Sequence, residues 1–369
     1  MQVATRALRG LILSAGLALA GCQAVPKAEP PRTATPLPPI VPKVESAAFS
    51  GLSAGPNIGS LGIQSGDAGT ALASFLESCP KLVARHDQSG LTNREDWRPA
   101  CDAARAWPAS DALRFFTTYF ESARIGDGKA FATGYFEPEI LGSRTRRPGY
   151  DVPVYHVPYY ERAEIERGAL AGRNLEIAWA ADPIEFFFLQ IQGSGLLRLP
   201  DGSLMRIGYA GQNGREYVGI GSVMRERGLL GDGPGQYAGS MQGIVQYLRD
   251  YPEAGADLMR LNKSWIFFRE LTTDGPLGAL EVPVRRGSSV AADPAYVPLG
   301  APVWLDLDRD VADGLWIAQD TGGAIKGANR FDTFWGNGPQ AREIAGGMSG
   351  RGQALVLLPK GTLARRQGQ

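Results

Sequence analysis

The chain has 369 residues, room for two domains at roughly 150 residues each. Its 44% hydrophobic content fits a well-filled core, and Lys plus Arg match Asp plus Glu at 38 each, so no net field favours nucleic acid. With two histidines and three cysteines, a zinc site or a Ser-His-Asp triad has almost nothing to be built from; no metal and no cofactor is expected.

The predicted elements begin with an export signal over residues 1–22. Arg6 and Arg9 give a positive start, and Leu11 to Ala20 is an apolar run too short for a permanent span. Leu19-Ala20-Gly21-Cys22 resembles the bacterial lipobox, which implies cleavage before Cys22 and lipid on its thiol. An ordinary cleavage site beside an incidental cysteine is the other reading. Several acyl chains, as the lipobox implies, suffice for stable anchoring where one does not. Gln23 in place of Asp fits an outer-membrane lipoprotein facing the periplasm. Residues 23–69 read as a tether: Pro26, Pro30, Pro31, Pro36, Pro38, Pro39 and Pro42 prevent regular structure, and large apolar residues are few.

Helical signals follow over residues 70–137. Thr92-x-x-Glu95 reads as a capping box, with Trp97, Cys101 and Ala104 at helical spacing behind it. Ser110 opens another helix with Phe115, Phe116, Tyr119 and Phe120 as its buried face. Cys79 and Cys101 stand in an exported, oxidising setting, where a disulfide is expected; a pair of buried free thiols is the other reading. After Gly126-Asp127-Gly128 the pattern turns β-rich, and Phe131 to Glu137 alternates until Pro138. Phe186 to Ile191 reads as a buried strand leaving into the Gln192-Gly193-Ser194-Gly195 loop. Gln192 and Ser194 offer neutral hydrogen bonds suited to hydroxyl and acetamido groups, and without a following lysine this is no phosphate cradle. Leu196–Leu199 and Leu204–Tyr209 form a predicted hairpin, and Ser240 caps a helix with Met241, Ile244, Val245 and Leu248 inward, stopped at Pro252. Strands recur at residues 280–284, 301–305, 315–318 and 353–358. Asp306, Asp308 and Asp310 suggest a calcium loop, but Val311 and Ile317 stand where its glycine and glutamate belong, so it is rejected.

The stretch with most chemistry is residues 318–336. Asp320 and Asp332 bracket a loop in which Gly322 and Gly323 let the backbone approach a ligand. Phe331, Phe334 and Trp335 beside Asp332 offer stacking surfaces for a sugar and desolvate a carboxyl placed among them. Two turn-forming aspartates are the other reading. Pattern alone reaches no further than a β-rich chain of two modules.

Several of these segments resemble one family. Gln319 to Gly327, Asp332 to Gly336, Thr133-Gly134-Tyr135, Gln192 to Gly195 and Asn262 to Phe268 look like the membrane-bound lytic murein transglycosylase A family, from about Phe131 onward. Phe136 replaces that family's second tyrosine. The resemblance implies a fold that is mostly β with flanking helices. A double-psi β-barrel would be assembled from residues 70–137 and 271–369, with a second β-barrel domain inserted at residues 138–270. The groove between them suits a peptidoglycan glycan strand. The family's three aspartates correspond to Asp293, Asp320 and Asp332. Asp332 is expected to act as acid and then base, and Asp320 as a supporting carboxylate kept ionised by Lys326. Asp293, before Pro294, reads as a turn former. Thr133, Gly134, Tyr135, Gln192, Gly193, Ser194, Gly195, Gly322, Gly323, Lys326 and Trp335 are the expected substrate contacts. The implied reaction cuts the β-1,4 bond between MurNAc and GlcNAc and leaves a 1,6-anhydromuramoyl end. A two-aspartate hydrolytic glycosidase and a non-catalytic wall-binding lipoprotein are the alternatives, and residue chemistry alone leaves the two enzymes nearly tied.

Overall fold

A computed structural model describes Ala47, residues 51–156 and residues 160–367. The export signal, Cys22 and the proline-rich part of the tether lie outside the described residues. From Gly51 onward the segment read as tether carries structure. Strand β1 (Leu52–Ala54) and the first residues of helix α1 (Ser65–Leu82) both fall before residue 70. Pairing a strand's backbone needs no apolar side chains, and the two isoleucines present, Ile58 and Ile63, are both buried.

Helix α2 (Arg94–Ala104) is capped one residue later than expected, at Asn93, whose N–H donates to Asp96 Oδ2 at 2.9 Å. Thr92 serves elsewhere: its hydroxyl donates to Asp87 and accepts from Trp97 Nε1. A Cys79–Cys101 disulfide, Cα–Cα 5.5 Å, joins α1 to α2. Helix α3 (Ala112–Tyr119) buries Phe115 and Phe116 against Phe75 and Phe120, all four rings within van der Waals reach of a neighbour. Strands β2 (Phe120–Ile125) and β3 (Lys129–Glu137) follow, and β1 pairs antiparallel with β2.

At Pro138 the chain leaves for a second layer: β4 (Glu139–Ser143), β5 (Val152–Tyr155), α4 (Arg162–Glu166), β6 (Glu176–Ala180) and α5 (Pro183–Gln192). It continues through β7 (Ser194–Arg198), β8 (Leu204–Gln212), α6 (Ile220–Glu226), α7 (Met241–Asp250), α8 (Pro252–Leu261) and β9 (Ile266–Leu271). These six strands form one sheet in the order β5-β6-β4-β7-β8-β9, folded around a core that includes Tyr155, Leu197, Ile207 and Phe267.

The segment 186–192 is helix, a correction to the strand read from it. Asp182 accepts from the N–H groups of Ile184 and Glu185, Pro183 fills the first turn, and Gly193 ends the helix with φ +80°. Phe186 and Leu189 face the sheet while Phe187 and Phe188 face α6 to α8, so the helix is apolar nearly all round and lacks the polar stripe that would have marked it. Residues 280–284 form no strand either. Glu281 sits at φ +59°, and the N–H groups of Gly278 and Leu280 turn away to Val282 and Gln319.

The chain then returns to the first layer with β10 (Ser289–Ala292), β11 (Pro302–Leu307), β12 (Gly314–Asp320), β13 (Arg330–Asn337), α9 (Gly338–Gly347), β14 (Ser349–Pro359) and α10 (Thr362–Gln367). Pairing runs β14-β11-β12-β10-β13-β3, and β3 pairs back to β14, closing a six-stranded barrel with β2 and β1 added at its side. Val290, Val303, Leu305, Trp316 and Phe331 share one buried face of it. Two-chain-segment construction is therefore intrinsic: β3 comes from before the inserted sheet and the other five barrel strands from after it.

Candidate active site

Strand register brings the two aspartates together. β10 lies between β12 and β13, and Ala291 on it is the Cα partner of Asp320 on one side and of Asp332 on the other. Two strand spacings put their backbones about 10 Å apart, with side chains leaving the same face of the sheet. That face borders the inserted domain, and a cavity of about 140 Å³ opens there, lined by Asp320, Asp332, Tyr135, Gln190, Gln212 and Tyr217.

The two carboxyls are treated differently by their surroundings. Asp320 accepts three hydrogen bonds: from Tyr135 OH (3.0 Å), from the Ala279 N–H (2.9 Å) and from the Thr321 N–H (2.8 Å). Burial pushes its pKa above the usual carboxylate range while those three donors pull it back. Asp332 accepts from Thr133 Oγ1 at 2.6 Å, and that hydroxyl in turn accepts from the Arg330 guanidinium at 2.9 Å. Burial, opposed by Thr133 and Arg330 and aided by the Asp320 charge, pushes Asp332 up to about 6. One carboxyl is thus poised to hold its proton near neutral pH, and its neighbour is solvated by fixed donors.

Other expected residues divide. Thr133, Gly134, Tyr135, Gln192, Gly322 and Gly323 all border the cleft. Gln192 does so with its amide oxygen engaged, since Oε1 accepts from the Phe136 N–H at 3.0 Å. Gly193 is the cap of α5; Ser194 and Gly195 are buried in β7, where a Cβ on Gly195 would meet the Leu189 side chain at 2.4 Å. Trp335 is buried against Trp316, and its Nε1 donates to Thr333, so it supports the barrel and offers no sugar platform. Phe331 and Phe334 are core as well. Lys326 is exposed on the glycine loop, and the donors around Asp320 are Tyr135 and backbone N–H groups in its place. Asp293 stabilises a turn, as read: Oδ1 accepts from Ala295, and Oδ2 from the Gly327 N–H, tying down the far end of the loop after Asp320.

Of the inserted domain's share of the cleft, sequence reasoning found Gln192 and missed Arg162, Gln190, Gln212 and Tyr217. Arg162 is buried, its guanidinium donating to the carbonyls of Asn262 and Ser264 and to Gln190 Oε1, between the rings of Phe187 and Trp265 at 4.8 and 4.9 Å. Burial lowers its pKa to about 10, still cationic at neutral pH. It separates the cleft from a larger cavity of about 810 Å³ inside the inserted domain that contains neither aspartate. Among the described residues no group of three or more metal-ligating side chains comes together.

Fold and site define a class: a double-psi β-barrel with an inserted β domain, and a paired-aspartate cleft where the two meet. Comparison with known proteins narrows it. The family model of the MltA specific insert domain matches residues 131–159 and 156–269, and that of the 3D domain matches residues 288–358. The membrane-bound lytic murein transglycosylase A of Vibrio cholerae is 32% identical over 281 residues, covering 70% of this chain and 75% of that one. A membrane-bound lytic murein transglycosylase from Agrobacterium tumefaciens superimposes with a TM-score of 0.75 at 26% identity, covering 85% of this chain and 99% of that one. An Escherichia coli MltA structure with bound chitohexaose gives 0.61 at 28% identity, covering 80% and 90%. The chain belongs to the membrane-bound lytic murein transglycosylase A family.

Proposed function

We propose that this protein is a peptidoglycan lytic transglycosylase that uses Asp332 as its single proton-transfer group. The observation that carries the reading is the pair of environments at Ala291: Asp332 raised to about 6 beside an Asp320 held by three donors. Asp332 donates its proton to the glycosidic oxygen between MurNAc and GlcNAc as the C1–O bond breaks. The MurNAc C6 hydroxyl then bonds to C1 and returns its proton to Asp332, so no water is consumed and a 1,6-anhydro end remains. Asp320 steadies the positive charge that develops at C1. Its engaged oxygens make it a poor base for activating water, which favours this reading over two-carboxylate hydrolysis. The chitohexaose bound to the Escherichia coli relative supports a β-1,4-linked glycan as ligand.

Purified sacculi provide the assay. Asp332→Asn should lose activity by several orders of magnitude, Asp320→Asn less and Asp293→Asn least, with circular dichroism unchanged. A folded, near-fully active Asp332→Asn protein would end the assignment.

We also propose that lipid on Cys22 anchors the chain to the outer membrane on its periplasmic side, the tether up to Ser50 giving the enzyme reach. Lipobox residues Leu19 to Cys22 and the name membrane-bound among its relatives support this. Labelled palmitate should enter the parent and not Cys22→Ala; equal labelling refutes it.

A further inference from the structure

The cleft beside the aspartates is two cavities. The smaller holds Asp320, Asp332 and Tyr135; a second, of about 510 Å³, is lined by Thr133, Gly134, Ala345 and Met348 among others. Ile191, Gln192, Tyr217 and Ala324 line both and form the partition. The Thr133–Asp332 hydrogen bond crosses the same boundary, since Thr133 lines one cavity and Asp332 the other. A glycan running from one cavity to the other therefore passes the proton donor at the partition.

We propose that Tyr217 is a specificity-determining residue at that partition, its hydroxyl hydrogen-bonding the sugar that lies over Asp332. The proposal deepens the glycan-cleaving reading above and rests on it. Of the partition residues, Ile191 and Ala324 have no polar side-chain atom, and Gln192 Oε1 is taken by the Phe136 N–H, which leaves that side chain only its Nε2 donor. The Tyr217 hydroxyl has no hydrogen-bond partner among the described residues, though its ring is largely enclosed.

The segment that carries that ring is held from three sides. Asn213 Oδ1 accepts from the Trp265 N–H, and its Nδ2 donates to the carbonyls of Tyr160 and Lys263, anchoring the loop before Tyr217. Asn262 Oδ1 accepts from the Val218 N–H, anchoring it after. Across the cleft the root of the side chain packs close to Gly323: a Cβ there would come within 3.2 Å of Tyr217 Cβ and 3.6 Å of its Cγ. A phenol held this firmly, with a free hydroxyl at a cavity junction, loses little entropy on meeting a ligand. Burial and the Asp332 charge both raise its pKa, so the hydroxyl stays protonated and can donate. A site built to bond a sugar hydroxyl or acetamido group discriminates against ligands that lack one.

Chitohexaose binding tests this in the Asp332→Asn protein, where turnover does not interfere. Adding Tyr217→Phe keeps the ring and removes only the hydroxyl; affinity should fall roughly five- to tenfold, the loss expected for one neutral hydrogen bond. Tyr217→Ala should lose more, and Gly323→Ala, whose Cβ crowds the root of the Tyr217 side chain, should reproduce part of the loss. In the parent background, kcat/KM on sacculi should fall at least as far for Tyr217→Phe. Affinity within twofold of the Asp332→Asn protein for folded Tyr217→Phe overturns the proposal while leaving the function reading intact. Weakened Tyr217→Phe binding with reducing-end products overturns the reaction and retains the contact. If the Asp332→Asn protein binds no chitohexaose and the parent leaves sacculi uncut, both fall together.

Discussion

Asp332 owes its readiness first to its burial, which its neighbours then tune. Thr133 donates to it and Arg330 reaches it through that same hydroxyl, and both favour the charged form; Asp320 favours the neutral one. An acid is lost as pH rises through its folded pKa, so the alkaline limb of the activity profile should reflect Asp332, near 6 in the free protein. The two neighbours then predict opposite shifts. Asp320→Asn removes a negative charge, lowers the Asp332 pKa and moves the limb to lower pH. Thr133→Val removes a donor to the carboxylate, raises that pKa and moves the limb to higher pH. Profiles on soluble glycan strands check both signs; shifts in the same direction would mean another group carries the proton. The sequence displayed both aspartates and the glycines between them. It could not show Thr133 as the partner of Asp332, because that contact exists only once β3 lies parallel to β13.

At the scale of elements, the crossover between barrel and inserted sheet is fastened by charge. Glu137 ends β3 almost fully buried, and Arg206 on β8 donates to both its oxygens at 2.7 and 3.3 Å while donating also to the Thr273 carbonyl on the returning chain. Outgoing and returning segments are thus tied at one point. Removing one partner of a buried pair leaves the other uncompensated, so Glu137→Ala should destabilise by about 3 kcal/mol. Urea unfolding measures it, and a loss under about 0.5 kcal/mol would mean the pair is solvated and holds nothing. Helix α5 explains why some elements were misread. Asp182, Pro183 and Gly193 are start and stop signals for a helix, yet an aromatic run buried on both sides has no period to read and looks like a core strand. The opposite error occurred at Gly51 to Gly69, where small and polar residues suggested a tether. Those residues are ordered by backbone pairing to β2 and by the start of α1, which composition does not register.

For the whole molecule, the decisive feature is a barrel whose strands come from both sides of an insertion. β3 closes the barrel and delivers Thr133 and Tyr135 to the aspartates of β12 and β13. The insertion that follows β3 returns as the opposite wall, with Tyr217 and Gln190 facing the same cavity. Family segments in the sequence pointed to this plan. Trp335, one of the aromatic residues read as a stacking surface for a sugar, proved to be core, while Tyr217 stood in a polar loop with no periodicity to flag it. In the proposed reaction the sugar's own C6 hydroxyl, and not water, completes the cleavage at Asp332. Mass spectrometry of muropeptides released from sacculi by protein lacking residues 1–22 tests that most directly. Anhydro-muramoyl ends are predicted throughout the soluble products; ends heavier by one water, with a reducing sugar, would contradict it.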